Sequence, residues 1–359
     1  TLIKNLSVGQ QQLVEIARAL SIDAKIIIMD EPTAALTEPE IQRLFGIIRK
    51  LADNGVGLVY VSHRMEEIFQ ICDRVTVLRD GISVATQAIA ETDFDEVVRM
   101  MVGRELTERF PERHSSIGEV KLQVRALSDG HKLHDIHFDV HAGEILAFAG
   151  LIGSGRTEIA NALFGLSPQS RGEIRIKGQA VHIKGPRDAI AHKIAYVTED
   201  RKAKGLILDM NVRENGTLVH LPTRYSVIDR AFEHSYIGQA IENLKIKVAD
   251  TEESVRRLSG GNQQKVVLAK WLMHLPEILI LDEPTRGVDI GGKAEIYRII
   301  NELAQQGVAI IMISSELPEV LGVSDRIAVM REGRLTGILN TAQANQEKVM
   351  ALAAGGTQQ

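Results

Sequence analysis

Residues 145–158 read Ile145-Leu146-Ala147-Phe148-Ala149-Gly150-Leu151-Ile152-Gly153-Ser154-Gly155-Arg156-Thr157-Glu158. The first five are apolar and read as a strand. After the glycines, Ile159 and Leu163 with neighbouring alanines carry helical spacing. Strand, glycine loop and helix in that order match G-x-x-x-x-G-K-[ST], with Arg156 in the place of the lysine. Glycines let backbone N–H groups turn inward around phosphate oxygens, and the helix start adds its positive end. Thr157 has the hydroxyl that such loops offer to Mg²⁺. Guanidinium is larger than ammonium and binds phosphate as a planar fork, so binding is expected to survive at Arg156 and hydrolysis to suffer. The pattern alone could still be a glycine-rich turn.

An internal repeat decides between these. Residues 5–81 align with residues 257–333 at a constant offset of 252, without a gap, and 27 of the 77 pairs are identical. So long an offset excludes a solenoid and reads as two copies of one domain. The second copy runs from near Val120 to about Leu339. The first begins at its own Leu6-Ser7 and has no counterpart of residues 120–256. The chain starts at Thr1 rather than methionine, so it reads as a fragment or a processed product.

Within the first copy, Leu13, Ile16, Ala17 and Leu20 give a helix, and Ile41, Leu44, Phe45, Ile48 and Leu51 give another. Ile26–Met29 and Leu58–Val61 read as short strands buried on both faces. Strands alternating with helices imply a parallel sheet, whose chemistry gathers at the strands' carboxyl ends.

Asp30-Glu31-Pro32-Thr33 stands at such an end and recurs as Asp282-Glu283-Pro284-Thr285. There the Asp can hold Mg²⁺ and the Glu can polarise an attacking water. Leu6-Ser7-Val8-Gly9-Gln10 recurs as Leu258-Ser259-Gly260-Gly261-Asn262, each opening a helix. A serine and bare amides at a helix start suit an anion. In both copies this motif lies 24 residues before the Asp-Glu pair. Val8 replaces a glycine and is expected to crowd a phosphate. His63 follows a strand and is replaced by Ser315 in the second copy, which reads as a γ-phosphate contact kept once and lost once. His131, His134, His137 and His141 do not read as a metal site. Ile136, Phe138 and Val140 alternate with His137, Asp139 and His141, the pattern of a half-buried strand with histidines on its wet face. Trp271 reads as core.

Composition limits the alternatives. With 44% apolar and 25% charged residues the chain has a globular profile, and its net charge of −5 with no basic block argues against nucleic acid as partner. One cysteine, Cys72, excludes an intrachain disulfide framework. No apolar run approaches the ~20 residues of a membrane helix, so any membrane role is expected to run through partners.

With these motifs in order, the chain resembles the ATP-binding-cassette ATPases. It is most similar to the double-cassette ATPases of bacterial importers of ribose, galactose, xylose or allose. The residues that carry the likeness are Leu258–Lys265, Asp282–Asp289, Ser314–Glu319, Met101–Leu106 and Ala195–Arg201, with Glu199 where most cassettes have glutamine. The resemblance implies an α/β tandem P-loop NTPase fold: a RecA-like parallel sheet with helices on both faces, plus a helical subdomain. Residues 1–102 would be the C-terminal part of a first cassette whose P-loop lies upstream. Residues 103–117 would be a linker, 118–345 a complete second cassette and 346–359 a tail.

ATP and Mg²⁺ are the implied ligands. Nucleotide binding falls to Gly150, Gly153, Ser154, Gly155, Arg156, Thr157, Glu158, Ser7, Gly9, Ser259, Gly260 and Gly261. Catalysis falls to Glu31, His63 and Glu283, and Mg²⁺ to Asp30, Asp282, Thr157 and Glu199; no structural metal is expected. In the family, ATP is held between the P-loop of one cassette and the signature serine and glycines of the other. The implied partners are transmembrane permease subunits fed by a periplasmic sugar-binding protein, with the chain on the cytoplasmic face of the inner membrane. A soluble tandem cassette of translation or repair, or a non-hydrolysing remnant, is the alternative. No ring-stacking aromatic stands between Phe110 and Phe138, so the adenine contact is expected to be loose.

Overall fold

The computed structural model describes all residues except 1, 4, 5, 7, 22, 23, 34, 35, 37, 63, 80, 81, 95, 98, 99, 101–109, 112–115, 152, 225, 226 and 356–359. The chain divides into two compact units, Thr1–Thr107 and Glu108–Gln359.

Unit 1 contains α1 (Val8–Leu20), β1 (Ile26–Asp30), α2 (Glu38–Asp53), β2 (Gly57–Val61), α3 (Met65–Ile71), β3 (Arg74–Arg79) and β4 (Ile82–Ala88). The expected face of α2 packs, and of the α1 face Ile16 joins it while Ala17 is exposed. Ile16 joins Ile41, Leu44, Phe45 and Ile48, spaced i, i+3, i+4 and i+7, in one core with Ile27 and Met29 of β1. β1 pairs with β2 in parallel, Ile26 opposite Gly57 and Asp30 opposite Val61. β3 and β4 form a separate antiparallel ladder.

The expectation that β1 and β2 are buried on both faces is corrected. Ile26 and Ile28 are 69% and 71% exposed, and Val59 and Val61 nearly half exposed, while Ile27 and Met29 point into the core. Only one side of this ladder has a layer packed on it among the described residues.

Unit 2 contains β5 (Val120–Ser128), β6 (Ile136–His141), β7 (Ile145–Gly150), α4 (Arg156–Leu163), β8 (Arg171–Ile176), β9 (Gln179–Val181), α5 (Pro186–Ala191) and β10 (Ile194–Val197). There follow α6 (Val212–Thr217), the small hairpin β11 (Thr223–Arg224) and β12 (Val227–Ile228), α7 (Arg230–Leu244) and α8 (Gly260–Leu272). The last stretch is β13 (Ile278–Asp282), α9 (Ile290–Gln305), β14 (Ala309–Ile313), α10 (Leu317–Val323), β15 (Arg326–Arg331), β16 (Arg334–Asn340) and α11 (Gln346–Ala354). Its main sheet runs β10-β13-β14-β7-β15-β16, parallel except for the last strand. An antiparallel sheet β6-β5-β8-β9 flanks it, and β6 alternates buried and wet residues as expected of its histidines. Helices α6, α7 and α8 pack together as a helical layer. Trp271 on α8 is in the core, edge-on to Phe164 at 5.5 Å. Phe110, expected in the linker, stacks near Tyr297 at 5.3 Å; most of residues 103–117 lie outside the described residues.

The repeat extends to strand register. Ile278 faces Ala309 and Asp282 faces Ile313, the pairs of β1 and β2 shifted by the offset of the repeat. Both antiparallel ladders also break register at matching places, Val77/Leu78 and Val329/Met330. In unit 2, β7 stands between β14 and β15 and joins the two ladders. Among the described residues of unit 1 no strand occupies that place.

Candidate functional site

In unit 2 the chain leaves β7 at Gly150 and enters α4 at Arg156. Two glycines here admit no side chain. A Cβ on Gly150 would stand 2.3 Å from the Met330 carbonyl oxygen. Gly155, the cap of α4 at φ 105°, would press a Cβ on Leu133 and Gly333. The loop and helix start line a cleft of about 560 Å³ with Lys132, Glu199, Glu283, Arg286, Ile313 and Ser315. Of the expected residues, Gly153, Ser154, Gly155, Arg156, Thr157, Glu158, Glu199 and Glu283 thus meet in one place. Ser154 is buried and its Oγ has no hydrogen-bond partner among the described residues.

β13 delivers the acid pair. Asp282 is fully buried; its Oδ2 accepts from the Tyr196 hydroxyl at 3.2 Å, and its Oδ1 accepts nothing among the described residues. Burial pushes this carboxyl up to about 6; Glu199 and Glu283 push the same way, while the Thr157 and Tyr196 hydroxyls oppose. An orphaned buried carboxylate oxygen is costly and fits a hard cation bound through oxygens. Asp282, Thr157 and Glu199 are the donors expected from sequence; here Glu199 is ion-paired with Arg286.

Glu283 follows with φ 49°, a left-handed conformation unusual for a side-chain-bearing residue. Its N–H donates to the Ile313 carbonyl at 2.8 Å and its Oε2 accepts from the Ser315 hydroxyl at 3.1 Å. Burial raises its pKa, Ser315 and Arg156 lower it, and Glu199 raises it. Glu31 of unit 1 has the same turn, with φ 46° and its N–H on Val61 at 2.9 Å. Such strain is held where surrounding structure over-determines the backbone, often at functional sites. Arg156 donates through Nη1 to the Ser314 carbonyl at 2.6 Å.

Sequence reasoning missed the group beneath this turn. Thr285 and Ser314 donate to Glu319, which is buried, its pKa pushed up to about 7 chiefly by that burial. In unit 1, Thr33, Tyr60 and Ser62 donate to buried Glu67 at 2.9, 2.8 and 3.1 Å. Glu67 and Glu319 are one of the repeat's identical pairs, and that identity was the available signal.

The signature motif stands apart from this cleft. Ser259 caps α8, its Oγ accepting from the Asn262 side chain at 3.0 Å. Neither Ser259, Gly260 nor Gly261 lines the cleft of its own unit. A Cβ on Gly260 would meet the Gly287 carbonyl at 2.5 Å and Arg201 at 2.6 Å, so glycine is required. Arg201, also unassigned from sequence, donates to the carbonyls of Arg286 at 2.5 Å and Gly287 at 2.9 Å and to Gln263 at 3.4 Å. It ties the start of α8 to the loop after the acid pair. In unit 1, Asp30 and Glu31 close β1 and Gly9 lies in the first turn of α1; Ser7 and His63 lie outside the described residues.

The family model described as ABC transporter matches residues 1–34 and 133–286. The chain belongs to this family. It is 55% identical to the ribose import ATP-binding protein of Chromobacterium violaceum, over 98% of this chain and 70% of that protein. The namesakes from Geobacillus kaustophilus and Bacillus subtilis are 56% and 54% identical, over 98% of this chain and 72% and 71% of theirs. A nucleotide-free ATP-binding cassette from an ABC transporter superposes with a TM-score of 0.56 at 19% identity, covering 66% of this chain and 95% of that one. CbiO1 of Clostridium perfringens, part of an ABC transporter complex, gives 0.55 at 24% identity, covering 65% and 93%. At such identities the solved structures show the fold, which is that of the ABC ATPase cassette.

Proposed function

We propose that the chain is the ATP-binding, ATP-hydrolysing subunit of an importer for a simple sugar. The sugar named for its relatives is ribose. One observation carries this: bare glycine backbone and a helix start share a cleft with Glu283, beside buried Asp282, in a chain so similar to ribose import ATP-binding proteins. Backbone N–H groups of Gly150–Glu158 would hold the phosphates, Asp282, Thr157 and Glu199 would hold Mg²⁺, and Glu283 would orient the attacking water. Bound Mg²⁺ supplies neutralising charge at the phosphate oxygens.

Unit 1 is, on this reading, the C-terminal part (residues 1–102) of a first cassette, with Asp30, Glu31 and His63 in the roles of Mg²⁺ holder, base and γ-phosphate contact. The matching registers of the ladders in the two units support reading unit 1 as part of a cassette of the same kind. Residues 103–117 link it to a second cassette, 118–345, followed by a tail, 346–359. Ser7 and Gly9, and Ser259, Gly260 and Gly261, are the proposed signature residues for nucleotide. No helix among the described residues is long and apolar enough to cross a membrane. The proposed partners, on the strength of its import relatives, are permease subunits at the cytoplasmic face of the inner membrane, supplied by a periplasmic sugar-binding protein.

The test is complementation. The continuous coding sequence, placed in a bacterium that lacks its ribose import ATPase but keeps the permease, is expected to restore uptake of labelled ribose. Recovery of the protein with the membrane fraction but no uptake of ribose would overturn the sugar assignment.

A further inference from the structure

We propose that Lys132 is a nucleotide-binding residue, an ammonium that meets the phosphate chain over the glycine loop with Glu158 as its counter-ion. The inference rests on reading the unit 2 cleft as the nucleotide site. Three cations line that cleft, Lys132, Arg156 and Arg286, against three acids, Glu158, Glu199 and Glu283. Arg156, which stands where the loop pattern has lysine, donates to the Ser314 carbonyl. Arg286 is paired with Glu199. Lys132 contacts Glu158 at 2.5 Å and spends one of its three donors there. Glu158 sits in the first turn of α4, where an unneutralised carboxylate would repel an arriving polyphosphate. Lys132 cancels that charge and returns to the cleft the compact ammonium that the loop itself lacks.

The turn that carries Lys132 is built to hold it. Asp129, 5% exposed, accepts through Oδ1 from the backbone N–H of His131 at 2.9 Å, Lys132 at 2.7 Å and Leu133 at 2.8 Å. Leu133 is buried beside Gly155, and the His134 N–H donates to Gly333 at 2.8 Å. The backbone under Lys132 is therefore fixed from both ends, while its side chain stays 40% exposed. Prior positioning of this kind lowers the cost of binding. An ordinary surface ion pair contributes little to stability and nothing to nucleotide affinity, so the two accounts diverge in a binding assay.

Calorimetric titration of the full chain with MgATP, MgADP, AMP and adenosine tests it. Lys132→Met keeps the aliphatic stem and is expected to weaken MgATP and MgADP at least roughly ten-fold, as loss of a charge-assisted contact should, and to leave adenosine unchanged. Lys132→Arg is expected to stay within about three-fold of wild type, and Glu158→Gln in the Lys132→Met background to recover part of the loss. Melting of the unliganded variants by circular dichroism confirms that each is folded. Wild-type MgATP affinity in Lys132→Met, or equal losses for adenosine and ATP, would overturn the inference alone. A wild-type chain that binds no MgATP would overturn the nucleotide-site reading and this inference with it.

Discussion

Arg156 donates through Nη1 to the Ser314 main-chain oxygen at 2.6 Å, binding the first residue of the P-loop helix to the chain just past β14. A guanidinium engaged this way has less freedom to follow charge as it develops on a transferring phosphoryl group. Arg156→Lys is expected to keep MgATP affinity within about three-fold and to raise phosphate release by the purified chain. Release measured at saturating MgATP that stays level or falls would remove the arginine as the cause of slow hydrolysis at this site.

Asp282 sets a pH dependence. Its carboxyl, raised to about 6 by burial, keeps a proton in the folded chain that the unfolded chain has released above roughly pH 4. Stability therefore falls as pH rises from roughly 4 through about 6, by up to about 3 kcal/mol, and the loss persists above that window. Asp282→Asn lacks the ionisation and is expected to melt higher than wild type at pH 8, the gap closing towards pH 4. Mg²⁺ with ATP should narrow the gap at pH 8 by stabilising only the wild type. A gap that is constant across the pH range in scanning calorimetry would show that Asp282 is not the titrating group.

Gly260 and Arg201 form one contact. A methyl at Gly260 would lie 2.5 Å from the Gly287 oxygen and 2.6 Å from Arg201 Nη2. Gly260→Ala should cost about 1–3 kcal/mol as an overpacking change, and Arg201→Ala should destabilise by leaving two carbonyls without their donor. Because both act on the loop at Arg286-Gly287, the double variant is expected to lose less than the sum of the singles. Urea unfolding gives all three values, and additive losses would mean that the two residues are independent.

What could be read beforehand was local chemistry, and what could not was chemistry between distant segments. The glycine loop, the Asp-Glu turn and the Ser259 cap each depend on neighbours in the chain, and the repeat shows the latter two twice. Arg201 offers no such pattern, since it acts on carbonyls 85 and 86 residues away. Lys132 reaches Glu158 from another strand connection, and its importance depends on Arg156 facing Ser314. Ile26 and Ile28 were misread for a related reason: an apolar strand records what could be buried, whereas exposure depends on whether another layer lies over it.

Ser315 and His63 occupy the same place in the two repeats, and this difference separates the roles of Glu283 and Glu31. At Glu283 the Ser315 hydroxyl donates to the carboxylate that would orient water and occupies one of its acceptor positions, while burial, outweighing Ser315 and Arg156, holds its pKa above the ordinary carboxylate value. Glu31 has the same backbone turn, with histidine in place of that serine. In the intact transporter, Glu31→Gln is therefore expected to abolish ATP turnover and sugar uptake, and Glu283→Gln to reduce turnover only several-fold, of the order expected when a base is not limiting. Steady-state phosphate release by the reconstituted complex measures both. Equal losses would mean that both sites hydrolyse, and a larger loss for Glu283→Gln would reverse the assignment. Ser315→His tests the cause directly: if the missing histidine limits the second site, this substitution should restore measurable turnover in the Glu31→Gln background.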